Sequence, residues 1–189
     1  MKLGIFASGT GTNFRRILEL YKADELPGLE PVLLITNRHC GASDYAKSEG
    51  FPYEVLRPKD FADRQSLEEA QLKALRASGV ELIALAGYLR ILGDTLLEAY
   101  PQRILNLHPS LLPNYPGLKA IERAYADGVK ESGVTVHLVD QGLDTGPILV
   151  QAKVPLEEGM SLAEFEAAIH ATEHKLYPKT IIEYARKIT

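Results

Sequence analysis

The chain has 189 residues, 46% of them apolar and 24% charged, with 15 Gly and 11 Pro. This balance supports a buried core and excludes disordered, collagen-like and heptad-fibre chains, and the length points to one domain rather than two. Lys and Arg number 21 against 25 Asp and Glu, a net charge of −4 that lacks the basic excess a nucleic-acid binder needs, so no nucleic-acid partner is expected.

The first apolar run, KLGIFA at 2–7, reads as a buried strand. It breaks into Ser8-Gly9, short of the roughly 7–15 apolar residues in the core of an export signal. No later stretch approaches the ~20 apolar residues that span a bilayer, so a soluble protein with no membrane partner is expected. The glycine turn Ser8-Gly9-Thr10-Gly11-Thr12-Asn13 follows, and Phe14, Ile17 and Leu18 then recur at helical spacing. A glycine turn between a strand and a helix aims backbone N–H groups and the positive helix end at one point, which suits a phosphate. No Lys-Ser/Thr follows the glycines, which excludes a Walker A loop. Phe14 stands where a dinucleotide fingerprint needs its third glycine or an alanine, so a monophosphate fits better than NAD or ATP. A tight turn with no ligand would use the same glycines.

Strands are also expected at 31–36, 81–86 and 103–107, with a helix over Asp63–Arg76 capped by Asp63. Cys40, the only cysteine, falls on a predicted loop far from the motifs. It excludes an intramolecular disulfide and a Cys-based zinc site and makes a reducing cytoplasm the expected compartment. Strand–helix alternation argues for a doubly wound α/β half.

Near the end of the fourth strand, Leu105-Asn106-Leu107-His108-Pro109-Ser110 sets an amide and an imidazole two residues apart, on one side of an extended segment. Strand carboxyl ends are where open α/β sheets bind ligands. The pair suits a carbonyl oxygen that gains negative charge, and equally a structural cap on the loop. Ser110 has no base placed against it and is not read as a nucleophile. Residues 133–140 then alternate Val134, Val136 and Leu138 with Thr135, His137 and Val139, and 147–154 follows after a short loop, which implies antiparallel pairing. Between them Gln141-Gly142-Leu143-Asp144-Thr145-Gly146 holds one carboxylate in a glycine-bracketed loop, as ordinary turn chemistry also would. A helix runs from Ser161, and Tyr177-Pro178 predicts a kink or a new helix start. His170-Ala171-Thr172-Glu173-His174 matches an inverted zinc-peptidase pattern, but a third protein ligand is missing, so no metal is expected.

The stretches LNLHPSLLPNYPG and GVTVHLVDQGLDTGPILVQ resemble the signature of the 10-formyltetrahydrofolate-dependent formyltransferases, and SGTGTN resembles the branch that formylates glycinamide ribonucleotide in purine synthesis. The resemblance runs from Lys2 to about Lys187. It implies a single Rossmann-like formyltransferase domain with a mostly parallel sheet of about seven strands, antiparallel C-terminal strands and helices on both faces. Residues 1–100 would form the phosphate-binding half and 101–189 the catalytic and folate-binding half. It implies Asn106, His108 and Asp144 as the catalytic set. Asn106 and His108 would stabilise the oxygen of a tetrahedral intermediate, and Asp144 would keep His108 protonated, with no acyl-enzyme. Gly11, Thr12 and Asn13 match the phosphate turn, with Thr12 where a serine is common, and Glu173 matches a further contact to glycinamide ribonucleotide. Arg64, Leu89, Arg90, Ile91, Leu92, His137, Asp140, Gln141, Gly142 and Leu143 match positions around the cosubstrate, 10-formyltetrahydrofolate. Folate deformylases and amino-sugar formyltransferases share this core, whereas the tRNA-directed relatives add a C-terminal domain and a basic surface. The expected partners are small molecules, and the sequence does not distinguish monomer from homodimer.

Overall fold

A computed structural model describes residues Met1–Thr189. Strand β1 (Lys2–Ala7), apolar and buried from Leu3 onward, lies inside the sheet between β2 (Glu30–Thr36) and β4 (Leu82–Leu85). Beyond β2 lies β3 (Tyr53–Val55), and beyond β4 lie β5 (Ile104–His108), β6 (Glu131–Leu138) and β7 (Ile148–Pro155). The order is β3-β2-β1-β4-β5-β6-β7; β1 to β5 are parallel, β6 pairs antiparallel with β5, and β7 pairs antiparallel with β6. The expected single α/β domain with antiparallel C-terminal strands is therefore present.

Helices α1 (Thr12–Lys22), α2 (Gly41–Ser48), α5 (Ala120–Ala126) and α6 (Leu162–Ile188) cover one face, where Leu3, Ile5, Leu105, Leu107, Val134 and Val136 join Phe14, Ile17, Phe165 and Tyr177 in the larger core. Helices α3 (Arg64–Ala77) and α4 (Asp94–Ala99) cover the other, packing Leu75 and Leu96 on Phe6, Ile35, Ile83 and Ile104. The α3 cap is the expected one: Asp63 accepts the Ser66 N–H at 2.8 Å. That second apolar face stops short. On β5 and β6 the residues that follow its parity are Asn106, His108, Thr135 and His137; Thr135 is engaged in buried bonds to Ser110 and Leu112, and the other three form a polar strip that is the floor of the site.

Two expectations about the fold are corrected. Pro178 does not start a new helix: α6 is continuous through it. The preceding residue, Tyr177, is fully buried and sets its hydroxyl 2.9 Å from the Leu85 carbonyl and 3.0 Å from that of Leu105, which pins the helix across β4 and β5. Cys40 is not far from the motifs, because it caps α2, whose Ala42 N–H donates to the Gly9 carbonyl at 3.1 Å. The short elements α2, β3, α4 and α5 had no sequence prediction. No helix is long and apolar enough to cross a membrane.

Candidate active site

A cleft of about 600 Å³ opens at the carboxyl ends of β1, β4 and β5, lined by the glycine turn, the 87–92 segment, the polar strip, residues 117–122, the 140–144 loop and α6. The first wall begins at Gly11, whose φ of 75° is left-handed and whose added Cβ would lie 2.6 Å from that of Ala42. Both facts demand glycine, and together they let α2 pack against the turn that starts α1. Asn13 on the first turn of α1 donates its amide to Glu173 Oε2 at 3.0 Å, and His170 Nδ1 contacts the same oxygen at 3.0 Å. Glu173 is buried, and Asn13 Oδ1 is buried with no partner. Glu173 holds the His170 ring above its usual pKa by this hydrogen bond, more than burial lowers it.

On the floor, antiparallel pairing sets Asn106 directly opposite His137. The His137 Nδ1–H donates to the Leu138 carbonyl at 2.7 Å, because a carbonyl only accepts, and its Nε2 lies 3.1 Å from the Asn106 amide nitrogen and 3.6 Å from Asp144 Oδ1. The second N–H of Asn106 points to Asp144 Oδ1 at 3.3 Å. The other carboxylate oxygen accepts the Gly117 N–H at 2.8 Å and lies 3.4 Å from His108 Nδ1. His108 in turn donates from Nε2 to the Tyr115 carbonyl at 2.7 Å, so Nδ1, facing Asp144, is the nitrogen that gains or loses a proton. Asn106, His108, His137 and Asp144 thus form one cluster, with His108 and His137 both buried.

Burial lowers the His108 pKa and prevails over the Tyr115 hydrogen bond and the Asp144 charge, which both raise it. The carboxylate acts in the expected direction without deciding the outcome. Burial also raises Asp144, but its contacts with His137, the Gly117 N–H and the His108 charge together leave its pKa below the usual carboxylate value. Tyr115 and Asp144 hold φ values of 52° and 55°, a left-handed conformation that non-glycine residues keep only where their surroundings impose it.

Leu89, Arg90, Ile91, Leu92, His137, Asp140, Gly142 and Leu143 line the cleft, as do Gly11, Thr12, Asn13 and Glu173. Arg64 and Gln141 do not: Arg64 is tied to Glu68 and the Ile91 carbonyl, and Gln141 to Asp94. Sequence reasoning missed His170 as a cleft residue, the backbone of Tyr115 and Gly117, and the place of His137 beside Asn106; only the β5–β6 register reveals the last. Ser110 donates its hydroxyl to the Asn114 carbonyl at 2.5 Å and has no base against it. No group of three His, Cys, Asp or Glu side chains is arranged to hold a metal ion.

The formyl transferase family model matches residues 1–181. The phosphoribosylglycinamide formyltransferase of Bacillus subtilis is 42% identical over 180 residues, which is 95% of this chain and 92% of that protein. The trifunctional purine biosynthetic protein adenosine-3 of Drosophila melanogaster is 37% identical over 95% of this chain, a stretch that makes up 14% of the larger protein. The crystal structure of phosphoribosylglycinamide formyltransferase from Bacillus halodurans superposes with a TM-score of 0.95 at 42% identity, covering 100% of this chain and 97% of that one. With a match over nearly its whole length and a shared fold, the chain belongs to the formyl transferase family.

Proposed function

We propose that this protein transfers the formyl group of 10-formyltetrahydrofolate to the amine of glycinamide ribonucleotide, a step of purine biosynthesis, without a covalent acyl-enzyme. The observation that carries this reading is that one cleft holds both the Asn106–His108–Asp144 cluster and the Gly11–Asn13 turn. The names of the relatives support the same acceptor and the same transferred group.

The residues suit both ligands. Exposed aliphatic side chains of Leu89, Ile91, Leu118 and Leu143 border the cleft, a surface that a flat and largely apolar ring would cover. The N-terminus of α1 and the His170 ring, held above its usual pKa, suit a phosphate, and the unpartnered Asn13 Oδ1 suits a ligand N–H or O–H. Residues 1–100 contribute the phosphate turn and 101–189 the reacting cluster, while the folate wall draws on both.

The bound folate supplies an activated formyl carbon. As the amine attacks, Asn106 exchanges its long contact with Asp144 for the formyl oxygen, where negative charge gathers. His108, deprotonated at Nδ1 because burial lowers its pKa, takes the proton that the amine releases and later returns it to the departing folate nitrogen. Asp144, already ionised, stabilises the imidazolium formed between these transfers. The positive charge of the ring then adds to the Asn106 amide in stabilising the oxygen. His137 orients that amide from the floor of the cleft.

The purified protein supplied with both substrates should produce formylated glycinamide ribonucleotide in step with the absorbance change of the folate. If that amine is inert while water or another amine takes the formyl group, the reading fails. His108→Ala should abolish turnover and leave both substrates bound.

A further inference from the structure

The segment 88–93 has no regular secondary structure, yet it carries Leu89 (58% exposed) and Ile91 (55% exposed) in the cleft wall. A loop without a backbone ladder needs other bonds to keep one shape. Helix α3 supplies them from positions 64, 68 and 71, which share one face. Gln71 Nε2 contacts the Tyr88 hydroxyl at 3.0 Å, Arg64 Nη2 donates to the Ile91 carbonyl at 2.8 Å, and Glu68 Oε1 accepts the Gly93 N–H at 2.5 Å and Arg64 Nε at 3.0 Å. From the opposite side Ser8 Oγ accepts the Leu89 N–H at 2.9 Å. The Glu68 side chain is only 5% exposed, and a Cβ on Gly93 would sit 2.7 Å from its oxygen, so the carboxylate fills the space against the loop backbone. None of Arg64, Glu68 and Gln71 lines the cleft.

We propose that Glu68 is a positioning residue for the formyl-donor side of the cleft: through Gly93 and Arg64 it fixes the wall that presents Leu89 and Ile91 to the ring of the folate. This role rests on the folate reading given above. A carboxylate so buried is held by its two partners, and removing it leaves the Gly93 N–H and Arg64 without their acceptor. The wall then loses its fixed shape, while the phosphate turn, which shares no bond with Glu68, keeps its own. Gln at position 68 retains an oxygen for Gly93 but no charge for Arg64, so its effect is smaller than that of Ala.

The test compares wild type, Glu68→Gln and Glu68→Ala in two assays. One is direct binding of two inert folate analogues, with and without the glutamate tail. The other is steady-state kinetics for both substrates, with thermal unfolding measured alongside. Glu68→Ala should weaken both analogues equally, by about tenfold, equivalent to about 1.4 kcal/mol. Glu68→Gln should weaken them less, and in both variants kcat at saturation and KM for the amine acceptor should stay within about twofold of wild type. Unchanged folate affinity in Glu68→Ala overturns the role. An equal rise of KM for both substrates overturns it in favour of general loosening, and a loss confined to the tailed analogue overturns it in favour of charge recognition. Failure of the wild type to bind either analogue overturns the folate reading itself, and this role with it.

Discussion

His108 and Asp144 face each other at 3.4 Å, Nδ1 to Oδ2, and each is tied on its far side to the same short loop: His108 to the Tyr115 carbonyl and Asp144 to the Gly117 N–H. Two residues far apart in the chain thus share one scaffold, and that loop fixes which imidazole nitrogen exchanges its proton. The Tyr115 hydroxyl donates to Asp127 Oδ2 at 2.8 Å, which anchors the loop to the end of α5.

Replacing Asp144 by Asn removes a charge that raises the His108 pKa, so the sign of the effect follows directly. Burial already places that pKa below the ordinary value of about 6.5, and the variant should titrate lower still. Ring titration of His108 by NMR checks this. The kcat should fall by up to about 10²–10⁴, the usual share of the proton transfer at His108 that Asp144 supports. A His108 midpoint that rises in the variant would break the coupling drawn here.

Much of this site was legible in the sequence because its parts are local. A strand running into glycines and then a helical period identifies the turn at 8–13 that lines the cleft, and Asn106 and His108 share a side through strand alternation alone. What was not legible depends on register and packing. His137 joins Asn106 only because β6 returns antiparallel with Asn106 opposite His137. Cys40 reaches the glycine turn only because α2, too short for a clear period, packs there. Arg64 misses the cleft lining because Glu68, one turn later on α3, holds its guanidinium. Tyr177-Pro178 reads as a kink or a new helix start, and no local pattern shows that the buried Tyr177 hydroxyl anchors the helix there.

The His170 ring gives acceptor binding a pH dependence of known sign. Its pKa is raised by the hydrogen bond to Glu173, so its charge is present at low pH and lost as pH climbs through the raised value. KM for glycinamide ribonucleotide should therefore increase on going from below that value to above it. His170→Gln should flatten this profile, with KM for the folate unmoved. Steady-state kinetics between about pH 6 and 9 decide the point, and a wild-type profile that is flat there would remove His170 from phosphate binding.

Gly11 is constrained twice, by a left-handed φ and by contact with Ala42. Gly11→Ala must push α2 away from the turn or distort the turn itself, and either change moves the N–H groups at the start of α1. KM for the amine acceptor should rise by about tenfold or more while KM for the folate stays near wild type. Equal loss of both would mean that the substitution loosens the whole fold rather than the phosphate turn.

Tyr177 tests whether the reacting strand end is held from beneath. Its ring is fully buried, burial pushes its hydroxyl pKa far up, and that hydroxyl bridges the carbonyls of Leu85 on β4 and Leu105 on β5, next to Asn106. Tyr177→Phe keeps the ring and removes only the hydroxyl, so the apolar packing survives and the change isolates the polar bridge. The loss should be about 1–3 kcal/mol, read as a lower denaturant midpoint at unchanged slope. Because the bridge reaches the residue before Asn106, kcat should fall with it, while KM for the folate, set by the wall at 88–93, should not change. A stability loss without any change in kcat would show that β5 keeps Asn106 in place through the sheet alone, and an unmoved midpoint would show that the two carbonyls find other partners.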